Sequence, residues 1–184
     1  MDYLKYFQYN SVVILSYFFL SLLVLCLKNI TKGKIMKYFT SGRGSVFNPL
    51  TYIKMFTHVL GHSNYTHFRN NFLYILLIGP MIEEKYGSIN LLKMILLTAI
   101  VTALVNIIIS KKQIVGASGI VYMLILLSSF VNIESGKIPL TLVLIFIFYI
   151  VTEIKDGLFK RDNVSHISHL IGAVCGFIYG FYMF

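Results

Sequence analysis

Charge is what this chain has least of. Ionisable side chains of Asp, Glu, Lys and Arg make up 12% of its 184 residues, about half the roughly 25% of a soluble domain. That excludes an ordinary water-soluble globule. Cysteine is nearly absent too. Cys26 and Cys175 each fall inside an apolar run, where a thiol behaves as a small hydrophobe, so neither a disulfide framework nor a cysteine zinc site is expected. No heptad pattern, internal repeat or polar domain interrupts the sequence. Acidic residues number 7 against 16 basic ones, for a net charge of +9. In so apolar a chain these cations are expected to meet lipid phosphates rather than nucleic acid.

What the chain does have is apolar length. Hydrophobic residues make up 57% of it, and the mean hydropathy is +0.78. They come in runs near 11–27, 68–82, 89–109, 117–131, 139–154 and 165–184, close to the ~20 residues that cross ~30 Å of hydrocarbon as a helix. The first run is too long for a signal-peptide core, and Lys28 follows it where small cleavage-site residues would stand. The expectation is one all-α membrane domain spanning residues 1–184, a bundle of six transmembrane helices. The connection 28–61 combines lysines, the Gly/Ser segment 41–45 and an apolar stretch 46–56. It is too interrupted to span and too greasy for a free loop, so it is expected to lie partly in the interface.

Polar residues inside spans are costly and usually face a cavity or a partner. Here they are His58, His62, His67 and Asn71 around the second run, Ser118 at the start of the fourth, and His166 and His169 at the start of the sixth. Ser118 lies between Gly116-Ala117 and Gly119. Read chemically, it is a nucleophile at a helix N-terminus whose amides could hold an oxyanion. Read structurally, a serine beside glycine is a packing contact. A serine nucleophile needs a base, and His169 heads a strip of small residues, Gly172, Ala173, Gly176 and Gly180, along which another helix can come close. His166 stands one turn nearer the polar loop and reads as solvated or supporting. Glu134, Glu153, Asp156 and Asp162 fall in or near the connections, so the expected machinery is a Ser/His dyad without an acid. His67 and Asn71 are four apart and share a helix face. They could donate into one cavity, or cap the helix and bind interfacial water. His58 and His62 have the spacing of a zinc-binding HExxH, but Val59 replaces the essential glutamate. No metal and no cofactor are therefore expected.

Four segments in this order resemble the rhomboid intramembrane serine proteases. His62, His67 and Asn71 look like the family's H-x4-H-x3-N, and Gly79 to Gly87 like its G-x3-E-x3-G. Gly116 to Gly119 look like GxSG, and Ser168 to Gly172 like AHxxG. The resemblance runs from about Lys54 to the C-terminus. It implies the six-helix rhomboid bundle, with Ser118 as nucleophile and His169 as general base. It further implies an oxyanion hole from His67, Asn71 and the Ser118 N–H. Tyr122 would pack on the histidine, His62, Gly116 and Gly119 would support the site, and Glu83 would organise the turn after the second helix. Substrates would be membrane proteins carrying a transmembrane helix. Ile53-Lys54 replaces a common Trp-Arg pair, and Ser168 the usual alanine. Noncatalytic rhomboid relatives that act as membrane chaperones or scaffolds are the competing reading. A transporter would need ion-coordinating carboxylates or a repeated half.

Richness in Lys, Ile, Asn and Tyr suggests an AT-rich bacterial genome, and hence a multi-pass protein of the plasma membrane. Orientation is contested. Lys28, Lys32, Lys34, Lys37, Arg43, Lys111, Lys112, Lys155, Lys160 and Arg161 fall on one side, with chiefly Lys5, Lys85 and Lys137 opposite. The positive-inside rule thus puts the N-terminus outside, whereas the resemblance implies a cytoplasmic N-terminus.

Overall fold

The computed structural model describes residues 10–45, 47–110, 112–131, 133, 137–159 and 165–182. The helices are α1 (Val12–Ile30), α2 (Pro49–Thr57), α3 (Tyr65–Tyr86), α4 (Ser88–Ile109), α5 (Ser118–Ser128), α6 (Leu140–Ile145), α7 (Val151–Phe159) and α8 (His166–Tyr182). A π-helical turn at Phe146–Ile150 joins α6 to α7, so helical backbone runs from Leu140 to Phe159. No strand occurs among the described residues; a single bridge pairs Ser41 with Ile114. Among these helices α1 and α4 are each long and apolar enough to cross a membrane on their own.

α5 forms the axis of the molecule. Apolar on nearly every side, it buries Ile120, Val121 and Met123 through Leu127, as expected of a helix surrounded by others. α8 lies against it along the small-residue strip. A Cβ on Gly172 would stand 2.1 Å from the Gly119 carbonyl oxygen, and one on Gly176 would stand 2.2 Å from that of Met123. Only glycine lets the two backbones approach this closely. Phe72 and Ile75 of α3, Ile14 of α1 and Leu91 and Met94 of α4 complete the core. The outer surface is apolar: Leu77, Ile108, Phe148 and Phe181 are exposed. Glu83, Asn71, Asn106 and Thr102 are buried. Polar groups inside and hydrocarbon outside is the reverse of a soluble protein, and suits a lipid solvent.

Glu83 does more than organise a turn. Its carboxylate accepts the Val13 N–H at 2.9 Å, the Ile14 N–H at 3.1 Å and the Ser88 hydroxyl at 2.7 Å. It thereby closes the open N-terminus of α1 and ties the starts of α1 and α4 to the end of α3. The connection after α1 is folded onto the body. α2 begins at Pro49 with Asn48 accepting the Leu50 N–H, the N-cap and N1 pattern expected of such a start. Ser41 and Ile114 exchange two backbone bonds of 2.9 and 2.8 Å, and Arg43 donates to the carbonyls of Ile107 and Ile108 at the end of α4. The loop is thus anchored without the Trp-Arg pair.

Candidate active site

A cavity of about 680 Å³ opens among α3, α5, α8 and the segment before α5. His67 and Asn71 reach it from α3, Ser118 and Tyr122 from α5, and His169 from α8. Five residues from three distant stretches of sequence thus meet at one place.

The serine's position follows from a tight approach to α5. Gly116 has φ +115°, a conformation that L residues rarely adopt, and its N–H donates to the His58 carbonyl at 2.9 Å. A Cβ there would lie 2.7 Å from His67 Nε2, so glycine also leaves room for that ring. The helix begins at Ser118 with no side-chain cap. The N–H groups of its first turn therefore have no intrahelical acceptor, and the positive end of the helix dipole lies beside the cavity. Gly119 is wedged between α4 and α8: a Cβ would meet Thr102 Cγ2 at 3.2 Å and the Ser168 carbonyl at 3.3 Å.

The α3 side is a relay of fixed donors. Asn64 caps α3 by accepting the His67 N–H. The Ser63 hydroxyl lies 3.0 Å from His67 Nδ1; donating there, it leaves the proton on Nε2, which faces Gly116. His62 is fully buried. Its Nδ1–H donates to the Leu60 carbonyl at 3.3 Å, and its Nε2 accepts the Asn71 amide at 3.2 Å. This fixes Asn71 with its nitrogen toward His62. Burial, with His67 close by, pushes the His62 pKa down to about 3, and burial holds His58 down to about 4 despite its contacts to the Lys54 and Met55 carbonyls. Both rings are neutral at physiological pH.

The α8 side departs from the expectation of a dyad. Tyr122 stacks on His169, with centroids 4.6 Å apart and planes 10° from parallel. Glu153, expected in or near a connection, lies on α7 and is 7% exposed. Its Oε1 accepts Nδ1–H of His169 and of His166, each at 2.6 Å, and its Oε2 accepts the Tyr122 hydroxyl at 2.6 Å. An acid therefore stands beside the histidine after all. The helix continues to Phe159, past the end of the apolar run, which turns Glu153 inward. The legible signal was that Glu153 follows Tyr149 by four within that run, and Tyr149 also lines the cavity. Of the two expectations for His166, solvated or supporting, the structure fits the second: it is a partner of Glu153 and 12% exposed at its side chain. One ligand atom from each of Glu153, His166 and His169 lies within 4.8 Å of the others, so this trio is also where the described residues could best hold a metal ion. The Ser168 hydroxyl turns away from His169 to Ser165 at 2.8 Å, and Ser165 donates in turn to Asn106 at 3.3 Å. Glu134 and Asp162 lie outside the described residues.

Comparison with known proteins gives the same architecture a name. The family model of the rhomboid domain matches residues 49–184. Rhomboid-like protein 11, chloroplastic, of Arabidopsis thaliana is 26% identical over 132 residues, which cover 64% of this chain and 47% of that protein. The chain thus spans about half the length of that relative.

Proposed function

Because this chain belongs to the rhomboid family, we propose that it is an intramembrane serine endopeptidase acting on membrane proteins that carry a transmembrane helix. In this reading α1, α3, α4, α5, the run from α6 to α7, and α8 are its six spans. The observation that carries the reading is the meeting of Ser118 with His169, His67 and Asn71 around one cavity, with Tyr122 stacked on His169.

Ser118 Oγ attacks the substrate carbonyl carbon and passes its proton to His169 Nε2. The oxyanion that forms is met by His67 Nε2–H, an Asn71 amide N–H and the Ser118 N–H. His169 then gives the proton to the departing amine as the C–N bond breaks, leaving an acyl-enzyme. Water attacks the ester carbonyl, His169 takes a proton from it, and Ser118 leaves as the alcohol with that proton restored. The family resemblance supports lateral substrate entry past the α6–α7 helix and the segment that follows it; residues 160–164 of that segment lie outside the described part.

The test is labelling by a fluorophosphonate probe in detergent. Expected is covalent labelling of the purified protein, abolished in Ser118→Ala and in His169→Ala, with loss of cleavage of a single-span substrate in both. His166→Ala retains clear activity. A Ser118→Ala protein that still cuts the same bond overturns the assignment. A folded wild-type protein that neither labels nor cuts supports a noncatalytic chaperone or scaffold instead.

A further inference from the structure

Three features remain unused by the reaction as just described: the second cavity beside α7, the Glu83 knot at the start of α1, and the Glu153 carboxylate. The second cavity, of about 360 Å³, is lined by Lys112, Ile154 and Leu158 and reaches Glu153 and His166 at one end; its remaining lining points to no particular ligand. The Glu83 knot is satisfied by its three donors and lines neither of the two cavities described.

Glu153 differs from both. It is a buried carboxylate whose two oxygens are both engaged by the side chains that surround the catalytic histidine. We propose that Glu153 is a positioning residue for His169, converting the Ser118/His169 pair into a Ser–His–Glu triad whose acid is supplied by α7. This rests on the protease reading above and deepens it.

The argument begins with the tautomer. A neutral imidazole carries one N–H and one lone pair. To accept the Ser118 proton, His169 must keep its lone pair on Nε2, so its proton must be on Nδ1. An ionised carboxylate 2.6 Å from Nδ1 accepts that N–H and disfavours the opposite tautomer, which would set two acceptor lone pairs against each other. The second point is orientation. Tyr122, parallel to the ring at 4.6 Å, fixes the plane of His169, while Glu153 fixes rotation within that plane. The same carboxylate holds the Tyr122 hydroxyl at 2.6 Å, so one anion grips the histidine both directly and through the ring stacked on it.

The third point is charge. When His169 takes the Ser118 proton it becomes an imidazolium beside Glu153, and it pairs with a carboxylate that is itself buried, where the attraction exceeds that in bulk water. The proton stays on the histidine; the carboxylate only stabilises the charge. His166 donates to the same oxygen and takes no part in proton transfer. Because Glu153 stands on α7 while Ser118 and His169 stand on α5 and α8, the aligned base depends on α7 being docked.

The experiment compares Glu153→Gln and Glu153→Asp with wild type in detergent micelles, using a single-span substrate and the fluorophosphonate probe. Circular dichroism and thermal melting confirm that each is folded. Glu153→Gln is expected to lower kcat by about 100- to 10,000-fold with KM changed less than about threefold, the pattern of a lost orienting acid. Glu153→Asp is expected to recover part of that loss. Nitrogen-15 NMR of His169 in the Ser118→Ala protein reads the tautomer directly, independently of activity and of whether Glu153→Gln folds. Expected is protonated Nδ1 and bare Nε2, with that preference lost in Glu153→Gln.

A folded Glu153→Gln enzyme with wild-type kcat, or an Nε2–H tautomer in the otherwise native protein, overturns the proposal. So does activity that requires an added divalent ion and is abolished by a chelator, since the three side chains would then be ligands. If the wild-type protein neither labels nor cuts, the protease reading fails. If it labels and Glu153→Gln labels equally fast, the protease reading stands and only the triad falls.

Discussion

Gly172 of α8 sits so close to Gly119 of α5 that a Cβ on Gly172 would stand 2.1 Å from the Gly119 carbonyl oxygen. Gly119 directly follows Ser118, and Gly172 lies three residues, nearly one helical turn, beyond His169. The separation of the two backbones at this contact therefore sets how far the hydroxyl stands from the imidazole. The obstacle is backbone, which cannot swing aside as a side chain can.

Gly172→Ala is accordingly expected to impair catalysis more than folding. Overpacking of this kind costs about 1–3 kcal/mol, and pushing α8 outward by about an ångström misaligns the base. Thermal melting in detergent together with the rate of fluorophosphonate labelling measures both effects. Unchanged labelling would mean that the α5–α8 spacing does not govern the site.

Asn71→Ala and His67→Ala are expected to lower kcat with little effect on KM, because donors to an oxyanion act in the transition state. Loss of one such donor typically costs about 2.7–4 kcal/mol. His62→Ala should reproduce part of the Asn71 effect without touching substrate, since His62 Nε2 holds the Asn71 amide. Steady-state kinetics on a single-span substrate decides this; a rise in KM alone for both donors would contradict the assignment.

A pH effect on stability follows from His58 and His62, which lie in the connection before α3 and are held down to about 4 and about 3 by burial. Both values lie below the ordinary histidine value of about 6.5, so the unfolded chain takes up protons first as the pH falls. The stability these neutral rings contribute is full above about pH 6.5 and declines as the pH drops toward their folded values. Melting temperatures between pH 7.5 and 5 are expected to fall less steeply in His58→Gln than in the wild type. Parallel slopes would remove His58 as a cause.

Membrane orientation can be read with single cysteines in a background lacking Cys26 and Cys175. Lys37 and Glu84 are both exposed and mark opposite ends of the helices that flank them. With an outward-facing cavity, Lys37→Cys in intact cells reacts with an impermeant thiol reagent and Glu84→Cys does not. The reverse pattern would mean that the lysine distribution sets the topology and that the cavity opens to the cytoplasm. Ser41 is unsuited as a reporter, being 1% exposed.

Local pattern alone located the helices near their observed places, because apolar length is a property of contiguous residues. Residues 89–109 correspond to α4 and 165–184 to α8, with starts differing by one residue; residues 183–184 lie outside the described part. The helix of the second apolar run, α3, starts earlier than that run, at Tyr65, because the Asn64 cap precedes the hydrophobic stretch. The first connection contains α2, whose Asn48-Pro49 start was present in the sequence but lost among its lysines.

The sequence by itself determined the solvent, the all-helical class and which residues merit chemical attention: spacing of His67 from Asn71, glycines flanking Ser118, and the small strip after His169 are all local facts. Which of them meet was decided by tertiary structure. Glu153 shows the reason most clearly. Its neighbours Lys155 and Asp156 make it look like part of a polar loop, and its spacing from Tyr149 marks a shared helix face without saying what that face meets. A carboxylate is tolerable inside an apolar bundle only when donors meet it. Those donors, Tyr122, His166 and His169, come from α5 and α8, so its place exists only once three helices have packed.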